Sequence, residues 1–384
     1  MRILWLCGLP RCIQEEALHG EALGAQSAWS WVIGHLPPPA GVELHIACPV
    51  TKGPWAARSV DFNGATFHLV RCPRGRVQTG YLLEPLFFAP VVRKLQPALI
   101  HGWGTESSFG HLARGFSPRH HVVQVQGLIN AYLPHLPALK RYRYLAWRER
   151  RTLAQARHVF VESEYSRSIT QPFCGQETQI HTVDHPLRPE FLDGPKASGE
   201  ENEVLFLGSL EERKGYLDAV LAFAAAASAD WRLTMVGSGA AVAEAALHQA
   251  IADSGAAEQI RHQSQASAQE VVERMQNAAI FLLPSYMDTG PTALKEALAT
   301  GLWPVCYDNT GPKEYVRRFD YGSLAPTGDI AALADQLRTA MKERPWAKSR
   351  RLETVAQQVR EVLSAKAIWS ELIHLYECIL RSSH

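Results

Sequence analysis

An α/β protein of two doubly wound domains is what this sequence predicts, and three observations carry that reading. Short apolar runs alternate with helical stretches from the N-terminus onward, the pattern of a parallel sheet covered on both faces. The alternation breaks once, near residues 185–202, and then restarts. At 384 residues the chain is also too long for one ordinary core.

In the first half, residues 2–7, 43–48, 65–71, 98–101, 121–125 and 159–162 read as strands, with helices over 25–36, 82–95 and 138–156. Pro186, Pro189, Pro195, Gly194, Gly199 and a cluster of charges mark residues 185–202 as a linker. Strands resume at 204–207, 231–236 and 280–283, with helices from about Tyr216 and Ala240. Residues 365–381 repeat Trp369, Leu372, Ile373, Tyr376, Ile379 and Leu380 at helical spacing. The domains expected are 1–186 and 187–364, followed by a terminal helix over 365–384. Ligands of such folds collect at the C-terminal ends of the strands, here in the cleft between the domains.

Composition narrows the function. Apolar residues make up 46% and charged residues 20%, as in a soluble globular protein. A net charge of +1 argues against wholesale binding to nucleic acid. The seven cysteines form no CxxC pair, so neither a disulfide framework nor a zinc site is signalled. Cys7 and Cys306 lie in apolar strand contexts as small core residues, in a reducing compartment. Residues 1–7 are too short for a signal-peptide core, and no run is long enough to span a bilayer. The expected location is the cytoplasm, with contact at the inner membrane face.

The most informative segment runs from Phe281 to Val305. A strand empties into Asp288, Thr289 and Gly290, Pro291 opens a helix, and Gly301 closes it. Unpaired amides at such a helix start form an anion site, and a glycine lets a phosphate approach. Asp288 and Glu296 stand on either side, one able to reach beyond the phosphates and one beside the helix. That layout suits a sugar nucleotide. Ordinary capping would also explain the helix start. Lys295 and Glu296 would equally fit a solvated stripe opposite Ala293, Leu294, Ala297 and Leu298.

A second motif starts at Phe206. The strand ends at Gly208, and a turn brings Arg213 and Lys214 to its exit, where cations neutralise a diphosphate as its bond to a sugar breaks. A solvated loop of Glu211, Glu212, Arg213 and Lys214 is the plainer alternative. Gly237, in a loop after another strand, would allow close approach of a nucleotide, or simply a tight turn.

These segments resemble the retaining GT-B glycosyltransferases of the GT4 type. Pro284, Ser285, Asp288, Glu296 and the run from Gly301 through Pro304 to Val305 match a family signature, in which Asp288 replaces the usual Glu. The run from Gly208 to Gly215 resembles the family pattern G-x-L-x-x-x-K-G, with Lys214 on the family lysine. Ser209 stands where many members carry Arg, so Arg213 is expected to supply that charge. The resemblance implies a GT-B fold and metal-independent retaining transfer from a nucleotide diphosphate sugar, with no cofactor. In the mechanism the resemblance implies, the departing diphosphate helps deprotonate the acceptor. Lys214 and Arg213 are then expected to stabilise the diphosphate, Asp288 to order the sugar and Glu296 to bind the ribose. Thr289, Gly290, Pro291, Gly208, Gly237 and His262, placed after a predicted strand, complete the donor set, with Gly24 in a loop facing the diphosphate. The terminal helix is expected to cross back to the N-terminal domain.

The acceptor half rests on Trp103, Glu106 and Gln126. Glu106 follows Gly102 and Gly104 at a strand exit. Gln126 stands where many members have His, and it can hydrogen-bond a sugar but not act as acid or base. The implied acceptor is a glycan, a lipid-linked glycan or a small molecule. Within 138–156, six cations between Lys140 and Arg151 face one Glu and interleave with Tyr142, Tyr144 and Trp147. Such a helix would rest on anionic lipid, or its aromatics would pack inward. Two other functions fit the same fold: sugar-nucleotide epimerisation, for which the motifs offer few acid–base residues, and binding of nucleotide sugar without turnover.

Overall fold

A computed structural model describes residues 1–10, 12–21, 23, 36–76, 78–135, 139–192, 202–226, 228–345 and 351–382. The chain divides into two compact units, one of Met1–Pro186 with Ala365–His384 and one of Leu187–Ser364.

The first unit holds eight strands in the order β3-β4-β2-β1-β5-β6-β7-β8. These are β1 (Arg2–Leu6), β2 (Glu43–Val50), β3 (Arg58–Phe62), β4 (Ala65–Arg71), β5 (Leu99–Trp103), β6 (His121–Gln124), β7 (His158–Val161) and β8 (Gln179–Thr182). All neighbours pair in parallel except β3 with β4. Parallel strands are covered on both faces, which is why β1 is buried from Ile3 to Leu6. The chain leaves β1 toward β2 and later returns to β5 on the opposite side. The topological switch point therefore lies between β1 and β5. The strand β3 was not expected, although Asn63 and Gly64, both at positive φ, are the residues a two-residue hairpin calls for. The predicted helix over 25–36 falls largely outside the described residues, and Gly24 lies outside them.

The helix Ala365–Arg381 belongs to this unit and buries Ile368, Trp369, Leu372, Tyr376 and Ile379. Trp369 stacks on Trp5 at 5.4 Å. The Tyr376 hydroxyl accepts from Trp5 Nε1 at 3.2 Å and meets His101 Nδ1 at 2.6 Å. Burial pushes the His101 imidazole down to about 3, so the ring beside the tyrosine hydroxyl is neutral.

The second unit is an all-parallel sheet in the order β11-β10-β9-β12-β13-β14. Its strands are β9 (Glu203–Leu207), β10 (Arg232–Val236), β11 (Ile260–Gln263), β12 (Ile280–Leu283), β13 (Trp303–Tyr307) and β14 (Ser323–Ala325). Here the switch point lies between β9 and β12, the two strands that feed the motifs of Lys214 and Asp288. The expected linker is narrower than the sequence suggests. His185 is buried, and Leu187 and Phe191 already pack in the second unit's core, because their apolar side chains outweigh the flanking prolines.

Candidate functional site

Three loops meet at the switch point of the second unit. After β9, a turn over Glu212–Lys214 ends at Gly215, which adopts φ 66. A Cβ there would overlap the Pro284 carbonyl, so only glycine lets this turn lie against the loop after β12. Gly237, after β10, is packed as tightly against the Gly208 carbonyl. The Tyr286 and Met287 amides donate to the Arg213 carbonyl at 2.8 and 3.3 Å. Behind the loop, Asp218 accepts from the hydroxyls of Tyr286 and Tyr307 at 2.7 and 2.6 Å.

This packing joins the two motifs. Lys214 Nζ forms an ion pair with Asp288 Oδ2, and both side chains are largely buried. Arg213 Nε pairs with Glu211 at 2.6 Å, and Ser209 Oγ donates to the same carboxylate at 2.8 Å. Burial raises the Glu211 carboxyl, but Arg213, Ser209 and Lys214 outweigh it and hold Glu211 below the usual range. Ser209, at the position where the resemblance leads one to expect an arginine, thus helps orient the carboxylate that holds Arg213.

The motif helix spans Thr292–Thr300, one residue later than expected, with Pro291 as its N-cap because its ψ of 98 is extended. Thr289 and Gly290 are buried just ahead of it. Gly301 closes it at φ 93. Lys295 and Glu296 are each 2% exposed, which overturns the solvated-stripe alternative. Lys295 lies over the Tyr315 ring at 5.2 Å. Glu296 receives a two-pronged contact from Arg188, Nε at 2.7 Å and Nη2 at 2.9 Å. Burial pushes the Glu296 carboxyl up, and Arg188 opposes that rise. Sequence reasoning did not find Arg188. It lies 108 residues from its partner in a stretch read as linker, and no local pattern marks it.

His262 lies within β11, not after it. Its Nε2 meets the Gly237 carbonyl at 2.8 Å and its Nδ1 meets His248 Nε2 at 3.1 Å, which brings it to the glycine loop.

In the first unit, Trp103 ends β5 in the core, 4% exposed between Trp5 and His101. Glu106 and Gln126 converge over Gly104, where a Cβ would stand 2.8 Å from Glu106 Oε2 and 3.5 Å from Gln126 Oε1. The Gly127 amide donates to Glu106 Oε1 at 3.0 Å. Burial, with the nearby Glu149 charge, pushes the Glu106 carboxyl up to about 7. Glu149, read from sequence only as the lone acid among cations, accepts from Thr105 Oγ1 at 2.6 Å and from the Ile129 and Asn130 amides at 3.1 and 2.9 Å. It fixes the loops beyond β5 and β6.

The basic helix spans Lys140–Ala154. Arg148 and Glu149 point into the protein, while Lys140, Arg141, Arg143, Trp147, Arg150 and Arg151 are exposed. The inward-aromatic alternative therefore fails for Trp147, which is 53% exposed. Among the described residues, no group of three or more His, Cys, Asp and Glu is placed to hold a metal. No helix among them is long and apolar enough to cross a membrane.

Comparisons with known proteins agree with this geometry. Residues 188–359 match the model for "Glycosyl transferases group 1", and residues 34–191 match that for "Glycosyltransferase Family 4". The chain is 25% identical over 48% of its length to the GDP-mannose:cellobiosyl-diphosphopolyprenol alpha-mannosyltransferase of Xanthomonas campestris, covering 49% of that relative. It is 26% identical over 55% of its length to the 2-deoxystreptamine N-acetyl-D-glucosaminyltransferase of Niallia circulans, covering 50% of it. The matched part thus spans about half the length of these relatives. In fold, the chain superposes over 100% of both chains on sucrose-phosphate synthase from Thermosynechococcus elongatus, with a TM-score of 0.75 at 16% identity. With the two family models meeting where the two units divide, and with both motifs joined at one switch point, the chain belongs to the GT4-type glycosyltransferases of GT-B fold.

Proposed function

We propose that this protein transfers a sugar, with retention of anomeric configuration, from a nucleotide diphosphate sugar to a hydroxyl acceptor in the assembly of a cell-surface glycan or glycoconjugate. The observation that carries the reading is the contact of Lys214 with Asp288 at the switch point of the second unit. In the resting site each carboxylate occupies a cation: Asp288 on Lys214, Glu211 on Arg213. A diphosphate entering there exchanges with the carboxylates. Lys214 and Arg213 then meet the phosphates, and Asp288 turns to the sugar hydroxyls. As the glycosidic bond breaks, the charge that grows on the leaving oxygen is met by cations already in place, so no metal is needed. The departing diphosphate takes the acceptor proton on the face it leaves.

Thr289 and Gly290 offer backbone amides to the phosphates, and Pro291, lacking one, shapes the helix entry. Gly208 and Gly237 allow close approach of the nucleotide, with His262 behind them. Glu296 receives the ribose. Gln126 and Glu106, with Trp103 behind them, serve the acceptor in the first unit. One relative is named for a diphosphopolyprenol acceptor, which supports a lipid-linked glycan here. The basic helix Lys140–Ala154, with its row of cations, supports a reading in which the protein makes peripheral contact with anionic lipid at the cytoplasmic membrane face.

Calorimetry of the wild type with UDP, GDP, ADP and CDP tests the donor site, repeated on Lys214→Ala and Glu296→Ala. One diphosphate is expected to bind clearly, and much more weakly in both variants. Binding indifferent to both substitutions would refute the assignment.

A further inference from the structure

The first unit carries a built surface beside the start of the basic helix. Gly80 and Tyr81 both adopt left-handed backbone, φ 60 and 62, a conformation that a tyrosine keeps only when its surroundings hold it. The Tyr81 ring is covered by two guanidinium groups, Arg148 at 4.7 Å and Arg76 at 5.2 Å. Arg148 also donates to the Gly80 carbonyl at 2.7 Å, and Arg76 pairs with the buried Glu84 at 2.6 Å. The loop is thereby fixed beside the start of the basic helix, with the Tyr144 ring on Gly80.

Between loop and helix lies a cavity of about 530 Å³, in the range of small-ligand pockets. Lys140 and Arg141 line it on the helix side, Gln78 and Thr79 on the loop side, and Leu82 and Tyr144 supply apolar wall. Leu82 is 71% exposed, its chain neighbours Leu83 and Leu86 are exposed by 48% and 69%, and on the helix side Leu139 is exposed by 45% and Trp147 by 53%. Half of the large apolar side chains exposed among the described residues are in this group. Arg143 and Arg151 are also exposed, one helical turn to either side of Trp147. Exposed leucines beside a tryptophan and a row of cations match the interface of an anionic bilayer in both polarity and charge.

We propose that this cavity and its leucine ridge form a phospholipid site. The anionic headgroup phosphate sits between Lys140 and Arg141, while Leu82, Leu83, Leu86 and Trp147 enter the interfacial acyl region. The proposal extends the lipid contact of the basic helix to a second chain segment and a defined pocket, and it rests on that contact.

Co-sedimentation of the full chain with vesicles of phosphatidylcholine, with and without phosphatidylglycerol, tests it. The wild type is expected to bind only the anionic vesicles, and glycerol phosphate in solution is not expected to displace it. Lys140→Gln with Arg141→Gln should weaken binding about thirty-fold at low ionic strength. Leu82→Ser, Leu83→Ser and Leu86→Ser combined should weaken it at least about tenfold. The far-ultraviolet circular dichroism and the thermal transition of the first unit should be unchanged in both, which shows that they fold. No binding by the wild type overturns this site and the basic-helix contact together. Binding lost in Arg143→Gln with Arg151→Gln, yet kept in the other two variants, overturns the pocket and ridge alone. A dimer abolished by the leucine substitutions, with vesicle binding intact, also overturns it and assigns the ridge to a second copy of the chain.

Discussion

Arg188→Ala isolates an interaction in the donor unit that sequence did not announce. The substitution leaves Glu296, 2% exposed, without the guanidinium that contacts it at 2.7 and 2.9 Å. Breaking a buried pair from one side costs about 3–5 kcal/mol, because the remaining charge keeps its desolvation penalty. Lys295 also favours the carboxylate, so the lower end, about 3 kcal/mol, is expected. For a unit of this size that lowers the melting temperature by about 6–12 °C, read from the second unit's transition in scanning calorimetry. The pH dependence gives an independent check. Unpaired, Glu296 holds its proton in the folded state well above the pKa of 4.5 at which the unfolded chain releases it. Stability of the variant therefore falls as pH rises through and above that value, so the deficit is small at acid pH and full at mildly alkaline pH. Adding Glu296→Gln removes the charge and should restore most of the loss. A deficit equal at both pH values, or a double variant no better than the single one, would refute the reasoning.

Three further outcomes follow from the geometry. Lys214→Ala should lower kcat about 10²–10³-fold, the usual loss when one preorganised donor to a developing anion is removed, and an unchanged kcat would exclude Lys214 from the leaving group. Glu106 rises from 4.5 to about 7, so the folded protein keeps a proton that the unfolded chain releases, and stability is lost as pH climbs between those values. Glu106→Gln should thus be neutral near pH 4 and stabilising by about 1–2 kcal/mol near pH 8, allowing for its partial exposure, as measured by denaturant titration. Trp369→Ala should cost the first unit about 3–5 kcal/mol, since it removes a 3% exposed ring stacked on Trp5, and the second unit's transition should not move.

Much of this was legible in the sequence because it is local. The strands β1, β4 and β9 and the helix after Pro291 are each marked by their own residues: apolar runs of strand length, a proline at a helix start and a glycine at its end. The hairpin of β3 was equally marked, by Asn63 and Gly64, and was overlooked because Arg58–Phe62 is mostly polar and lies at the sheet edge. Pairwise facts were not legible. Nothing near Glu296 says that it turns inward to Arg188, and nothing in the basic run separates Arg148 and Glu149, which are buried, from Arg143 and Trp147, which are exposed. Helical phase depends on which face finds a partner.

By itself, then, the sequence determined the alternation of strand and helix, the break between two units and the residue types that phosphate chemistry requires. These follow from backbone preference and from side-chain period, which act over a few residues. Tertiary structure alone decided that Lys214 meets Asp288, that Glu106 and Gln126 share the space over Gly104, and that Leu82 stands beside Lys140. Strand order in a sheet is chosen by how apolar faces are covered, and that choice brings distant loops to one edge.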